Sequence, residues 1–210
     1  LARLPGKLGL FLGLTASGIN GRDALDLDLA DRFLLDTQQD DLLEGLVQLN
    51  WLEQPQLQLH SLLQALEADA RDELPEAQWL PRRPRIDALL DQADLPLAWR
   101  ALSALQGDSD LLLARAAKTL NGGCPLTGHL VWEQIHRAKR LSLAEVFRME
   151  YALSLNCCRH PEFPEGVRAR LIDKDQAPRW HWPDVAAIPH EVIEAHFEVV
   201  WEGEHPLADL

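Results

Sequence analysis

Few side chains in this sequence stand at the spacings that chemistry demands. Cys157, Cys158 and His160 are close together, but zinc asks for a spacing such as C-x2-C, which lets side chains converge on a tetrahedron. Adjacent residues on a helix point about 100° apart, so these cysteines read as two small core-facing residues at a helix end. His129 and His136 are seven apart, wider than the usual pair of metal ligands on a helix, and read as ordinary surface or half-buried histidines. The run from Gly123 to His129 has the G-x4-G spacing of a phosphate loop. It lacks the Lys that would reach the phosphates, and Pro125 removes a donor N–H, so that reading fails. Arg82, Arg83 and Arg85 form a basic cluster among three prolines (Pro75, Pro81, Pro84). The segment 72–85 reads as a solvated connector rather than a phosphate site. No G-x-S-x-G supports a nucleophile elbow. Read from its residues alone, the sequence shows no catalytic set and no metal site.

The elements that would carry these residues are helical. Leu occurs 42 times against 8 Val and 6 Ile, and Leu is a strong helix former while β-branched residues favour strands. Pro5 suits a first helical turn, with Leu8, Phe11 and Leu12 on one face. Ser17-Gly18 and Asn20-Gly21 end that helix near Thr15. A short helix is expected over 22–28, and the one strand over Asp31 to Leu35. Helices are then predicted over 37–51, from Pro55 onward, and near 86–93 and 95–105. Another is capped by Asp108 or Ser109, runs to Leu120, and is stopped by Asn121-Gly122-Gly123 in the left-handed conformation. Pro125 to Arg140 makes the next. Ser142-Leu143-Ala144-Glu145 is a capping box, with Ser at N-cap and Glu at N3, each satisfying an orphan backbone donor. It starts a helix reaching about Cys158. Further helices are expected over 165–173 and 189–200.

Composition narrows the class. A net charge of −13 argues against nucleic acid as a partner, which needs an excess of Lys and Arg. The longest apolar run, Leu8 to Leu14, falls far short of the roughly 20 residues that span a bilayer. Three cysteines, two of them adjacent, do not make a disulfide framework and suggest a reducing interior. The expected location is cytoplasmic, or the mitochondrial matrix in a eukaryote. The chain opens on Leu1 in an apolar stretch without signal-peptide features, which reads as a fragment of something longer.

Two stretches resemble a known superfamily. The first is Leu4-Pro5-Gly6-Lys7-Leu8-Gly9-Leu10-Phe11-Leu12-Gly13-Leu14-Thr15, followed by Ile19-Asn20-Gly21-Arg22-Asp23-Ala24 and Leu29-Ala30. It is similar to a pattern that follows the active-site region in the enoyl-CoA hydratase/isomerase (crotonase) superfamily. Ala16-Ser17 stands where members put Gly, and Asp28 replaces the usual Gly before Leu29-Ala30. The second comprises Leu141 to Glu145, Arg148-Met149-Glu150-Tyr151 and Phe163-Pro164-Glu165-Gly166-Val167-Arg168-Ala169. It runs into Leu171-Ile172-Asp173-Lys174-Asp175 and Pro178-Arg179-Trp180. This resembles the C-terminal part of the 3-hydroxyisobutyryl-CoA hydrolase branch, and Cys124-Pro125-Leu126-Thr127 is similar to that branch's Ser-Pro-Thr-Ser helix start.

The resemblance implies an α/β spiral fold for the whole protein, with this chain predominantly helical and little strand, near its N-terminus. It implies 1–36 as the tail end of the core, 37–120 as a helical insertion, and 121–210 as a C-terminal helical region. The activity implied is hydrolysis of a CoA thioester in valine breakdown. An enoyl-CoA hydratase or isomerase, and a helical interaction module without chemistry, stay open as alternatives. The family's oxyanion hole and catalytic carboxylates are expected upstream of Leu1. No catalytic role is therefore carried onto a residue here, acidic Asp23 and Glu165 included, and the chain alone is expected to be inactive. Lys174 and Arg179, basic and within the motif, are the expected contacts for CoA phosphates. No permanently bound cofactor or metal is implied, only coenzyme A as part of the substrate, and self-association into a homo-oligomer is expected.

Overall fold

Sequence dictates most of the helix ends directly. In the computed structural model, which describes residues 1–199 and 201–210, the chain is 63% helical. The helices are α1 (Leu8–Thr15), α2 (Gly21–Asp26), α3 (Gln39–Gln48), α4 (Pro55–Ala70), α5 (Arg83–Leu89), α6 (Leu95–Ser103), α7 (Leu111–Gly122), α8 (Pro125–Ala138), α9 (Leu143–Arg159), α10 (Glu162–Val167) and α11 (His190–Ala195). A π-helical turn, Arg168–Ile172, follows α10. Among the described residues no helix is long and apolar enough to cross a membrane. The residues form two compact units: Leu1–Ser17 with Arg85–Leu210, and Gly18–Pro84.

In the larger unit α1 packs against α7 and α8. Leu8, Leu10, Phe11, Leu12 and Leu14 are all buried, so the helix is enclosed on every side rather than along the one expected face. A second cluster joins Leu126 and Leu130 of α8, Leu153 of α9, Ile188, and Ile193 of α11. The capping box at α9 forms as expected: Ser142 Oγ accepts from the Glu145 N–H at 3.3 Å, and Glu145 Oε2 accepts from the Ser142 N–H at 2.7 Å.

In the smaller unit the anchor is Asp23, fully buried. Its Oδ1 accepts from the backbone N–H groups of Gln78 and Trp79 at 2.7 and 2.9 Å. Its Oδ2 closes a capping box with Asn20. One carboxylate thus satisfies backbone donors more than fifty residues apart in sequence.

Several expectations need correction. The strand over 31–35 does not form, and no strand exists among the described residues. A strand needs a partner, and here the Leu35 N–H is taken locally by Gln38 Oε1 at 2.9 Å. Phe33 instead lays its ring on Gly21, where a Cβ would meet Cδ2 at 2.6 Å. The connector 72–85 is shorter than expected, because α5 already starts at Arg83. Arg85 is engaged by Asp108 in a two-pronged ion pair. α7 starts at Leu111, so Asp110 is its cap, accepting from the N–H of Leu112 at 3.1 Å, while Asp108 accepts the Asp110 N–H at 2.9 Å. Gly123 is extended (φ −76°, ψ 167°) rather than left-handed, and leads into Cys124, which Pro125 biases to the extended region (φ −74°, ψ 121°) at the start of α8. The helix expected over 165–173 divides into α10 and the π turn. The helix expected over 189–200 ends at Ala195, and its last position, Val200, lies outside the described residues.

The left-handed backbone occurs at other positions, among them Ala16 (φ 48°) and Asp28 (φ 54°). Ala16 belongs to the Ala16-Ser17 pair that stands where the resemblance puts glycine, and Asp28 is the other residue that does so. A Cβ in this region costs about 1–2 kcal/mol, partly offset by the greater chain entropy of glycine when unfolded, about 0.4–1 kcal/mol. Ala16→Gly should therefore raise stability by about 0.5–1 kcal/mol in urea titration. Ser142→Ala should lower it by about 1 kcal/mol. An unchanged midpoint in the second variant would mean that α9 does not depend on its cap.

Candidate functional site

The larger unit holds a roomy cleft of about 1070 Å³. The C-terminal end of α1, the outer face of α7, the first turns of α8, and the α10–Trp180 segment line it. Each wall has a local cause. Pro125 starts α8 and turns Leu126, Thr127, Leu130 and Val131 into the cleft. Gly128 admits Trp99: a Cβ there would stand 2.5 Å from the indole. The fourth wall is shaped by Arg168.

Arg168 is a knot of charge. Its guanidinium donates to both carboxylate oxygens of Glu165 at 2.9 and 2.8 Å, to Asp173 at 2.6 Å, to Asp175 at 2.7 Å, and to the Ala177 carbonyl at 3.1 Å. The π turn makes this geometry, because its wide Asp173 N–H to Arg168 C=O bond of 2.8 Å swings Asp173 back toward the guanidinium. Glu165 also accepts the Arg179 N–H at 2.6 Å. Trp180 is then delivered to the cleft wall, its ring 3.4 Å from where a Cβ on Gly166 would sit and its Nε1 donating to Gly122 O at 3.4 Å. The Arg168 hydrogen bonds, with that from the Arg179 N–H, hold the Glu165 carboxyl down to about 2. The three carboxylates in turn hold Arg168 well above its ordinary value.

The floor carries Cys124, Cys157, His160, Glu162 and His196. Burial pushes both thiols up, so neither is a thiolate at neutral pH. Cys157 packs on the apolar cluster, but Cys158 is exposed, which corrects the reading of both as core-facing. Burial pulls His160 down, with His196 and His181 adding to the effect. Its ring stacks on Trp182, centroids 5.5 Å apart. Glu162 is buried and accepts the His181 N–H at 3.0 Å. His129 and His136 are each held by a backbone carbonyl at 2.7 Å, from Val185 and Trp132. Among the described residues no three His, Cys, Asp or Glu side chains are grouped to hold a metal ion.

Lys174 and Arg179 are exposed and neither lines the cleft. The cations that do line it are Arg115 and Lys118 of α7 and Arg170 of the π turn. None makes an ion pair or a side-chain hydrogen bond among the described residues. Sequence reading passed over the first two, although a signal was present: α7, LLLARAAKTLNG, contains no acid to pair with them.

The Arg168 knot predicts a pH dependence. A carboxylate depressed in the folded state adds stability above its ordinary value, and that contribution is lost as pH falls through the folded value. For Glu165 the window runs from about 4.5 down to about 2. Arg168→Gln should lower Tm at pH 7 by several degrees, and the gap to wild type should close as pH falls across this window. A constant gap would mean that the ion pairs contribute nothing.

Comparison with known proteins gives a consistent set of relatives. Residues 1–197 match the family described as enoyl-CoA hydratase/isomerase. The mitochondrial 3-hydroxyisobutyryl-CoA hydrolase of Danio rerio is 33% identical over 206 residues, covering 97% of this chain and 52% of that protein. The Homo sapiens protein of the same name is 31% identical over 199 residues, covering 94% and 50%. The crystal structure of a carnitinyl-CoA dehydratase from Mycobacterium thermoresistibile superposes with a TM-score of 0.78 at 26% identity, covering 95% of this chain and 53% of that one. The chain spans about half the length of the curated relatives it matches.

Proposed function

From the premise that the chain belongs to the enoyl-CoA hydratase/isomerase family, we propose that it is part of a CoA-thioester hydrolase of the 3-hydroxyisobutyryl-CoA type. The observation that carries this is the 33% identity to such a hydrolase across 97% of the chain. The Glu165–Arg168–Asp173–Asp175 knot supports it, because the motif run 163–180 that resembles the hydrolase branch has a definite job: it shapes one wall of the cleft. The whole protein would have the α/β spiral fold. Residues 1–36 would be the tail end of its core, 37–120 a helical insertion, and 121–210 a C-terminal helical region.

Thioester hydrolysis needs hydrogen-bond donors aimed at the developing oxyanion and a placed carboxylate for nucleophile and proton. In this reading both belong to the half of the relatives' length that this chain does not match. The acids highlighted here are already committed: Asp23 to the Gln78–Trp79 backbone and Glu165 to Arg168. The chain's part is then to form a wall of the acyl-CoA site. Coenzyme A enters as part of the substrate, in a cytoplasmic or matrix compartment. An enoyl-CoA hydratase is the second reading, favoured by the structural likeness to an enoyl-CoA hydratase from Rhodobacter sphaeroides (TM-score 0.70, 27% identity).

A thiol-release assay tests this. The 210-residue chain is compared, at equal concentration, with a chimera in which the unmatched half of the Danio rerio relative is joined to it. The chimera should release coenzyme A from 3-hydroxyisobutyryl-CoA and the chain alone should not. Comparable turnover by both would place the chemistry within these residues. Hydration of an enoyl-CoA without thiol release would favour the second reading.

A further inference from the structure

We propose that Arg115 and Lys118 are the anion grip of the cleft and hold the phosphates of a nucleotide-bearing acyl thioester. The inference rests on the acyl-CoA reading above and names which of this chain's groups take the charged end.

The charge of the cleft is the first argument. The chain carries −13 overall, yet three cations line this cleft, Arg115, Lys118 and Arg170, against one carboxylate, Glu162. That carboxylate is buried and already accepts the His181 N–H. Among the side chains that line the cleft, positive charge thus outnumbers negative.

Pairing is the second. Five arginines elsewhere are paired with acids: Arg22 with Asp26, Arg32 with Glu67, Arg85 with Asp108, Arg137 with Glu133 and Glu194, Arg168 with three carboxylates. Arg115 and Lys118 find none among the described residues. They stand three apart on α7, so they share one face about one turn long. The positions from which an acid would reach them on that helix hold Leu111, Leu112, Ala114, Thr119, Asn121 and Gly122. A fork-shaped guanidinium beside a point-charge ammonium suits a pair of phosphate groups.

Lining is the third. The rest of the cleft is largely apolar, with Leu126, Leu130, Val131 and Val167 beside the indoles of Trp99 and Trp180. A small inorganic anion would leave these surfaces wet. A ligand with phosphates at one end and an uncharged arm satisfies both parts. Lys174 and Arg179 offer charge without such a wall, since neither lines the cleft.

The test is calorimetric titration of the 210-residue chain with coenzyme A, adenosine 3′,5′-bisphosphate, and pantetheine, which has the thiol arm but no phosphate. Coenzyme A and the bisphosphate should bind, more weakly as salt rises. Arg115→Gln/Lys118→Gln should weaken both by about tenfold or more and leave pantetheine unchanged. Both side chains are exposed, so the helical circular-dichroism signal should be retained. Lys174→Gln/Arg179→Gln should leave all three titrations as they are. Loss on this second variant instead of the first would overturn the proposal, as would wild-type affinity in the first or no binding of either phosphate ligand. The chimera separates this inference from the hydrolase reading. Thiol release with an unaltered KM in Arg115→Gln/Lys118→Gln refutes the grip and leaves the hydrolase standing. An inactive chimera, alongside a bisphosphate affinity lost in that variant, does the reverse.

Discussion

The larger unit depends on one constraint: α1 is apolar on every side and has to be enclosed. A helix of this kind cannot stand at a surface with one face in water. Leu8 and Phe11 have no exposed surface at all, and Leu10, Leu12 and Leu14 have almost none. α7 and α8 supply the enclosure, and doing so fixes which of their faces turn inward. Leu113, Ala116, Ala117 and Leu120 of α7 go to the core. The opposite face, with Arg115 and Lys118, is thereby turned outward to the cleft. The burial of one helix decides the display of another.

Polar ties then hold the segments that hydrophobic burial cannot position. Loops carry backbone donors and acceptors that need partners, and one side chain in each unit answers part of that need. Asp23 fixes the Gln78–Trp79 backbone in the smaller unit. Arg168 fixes the loop between the π turn and Trp180 in the larger one. The latter is half-buried and charge-assisted, with a two-pronged hydrogen bond to Glu165, which gives direction as well as attraction. Its consequence is geometric: Trp180 is brought back against Gly166 and Gly122 to wall the cleft.

The cleft is thus assembled from parts with different physical origins. Apolar packing supplies the α8 wall and the floor near Cys157. An ion-pair knot supplies the Trp180 wall. Two of the three cations come from a helix face that has no acids to neutralise them.

Much of the local structure was legible before any tertiary contact. The helix start at Ser142 was readable because a capping box joins residues three apart. The helical content followed from leucine's abundance, and the two departures from family glycines fell where the backbone is left-handed. Each depends on interactions spanning at most a few residues. The strand over 31–35 was misread because a strand is defined by a distant partner, and only folding shows that Gln38 and Gly21 take that segment's contacts instead. The distant pairing of Asp108 with Arg85, 23 residues away, was equally invisible to local reading. The absence of acids on α7 was visible in the sequence. That Arg115 meets Arg170, Trp180 and the start of α8 around one cleft was not, because chain segments up to 65 residues apart in sequence converge only when apolar helices bury one another.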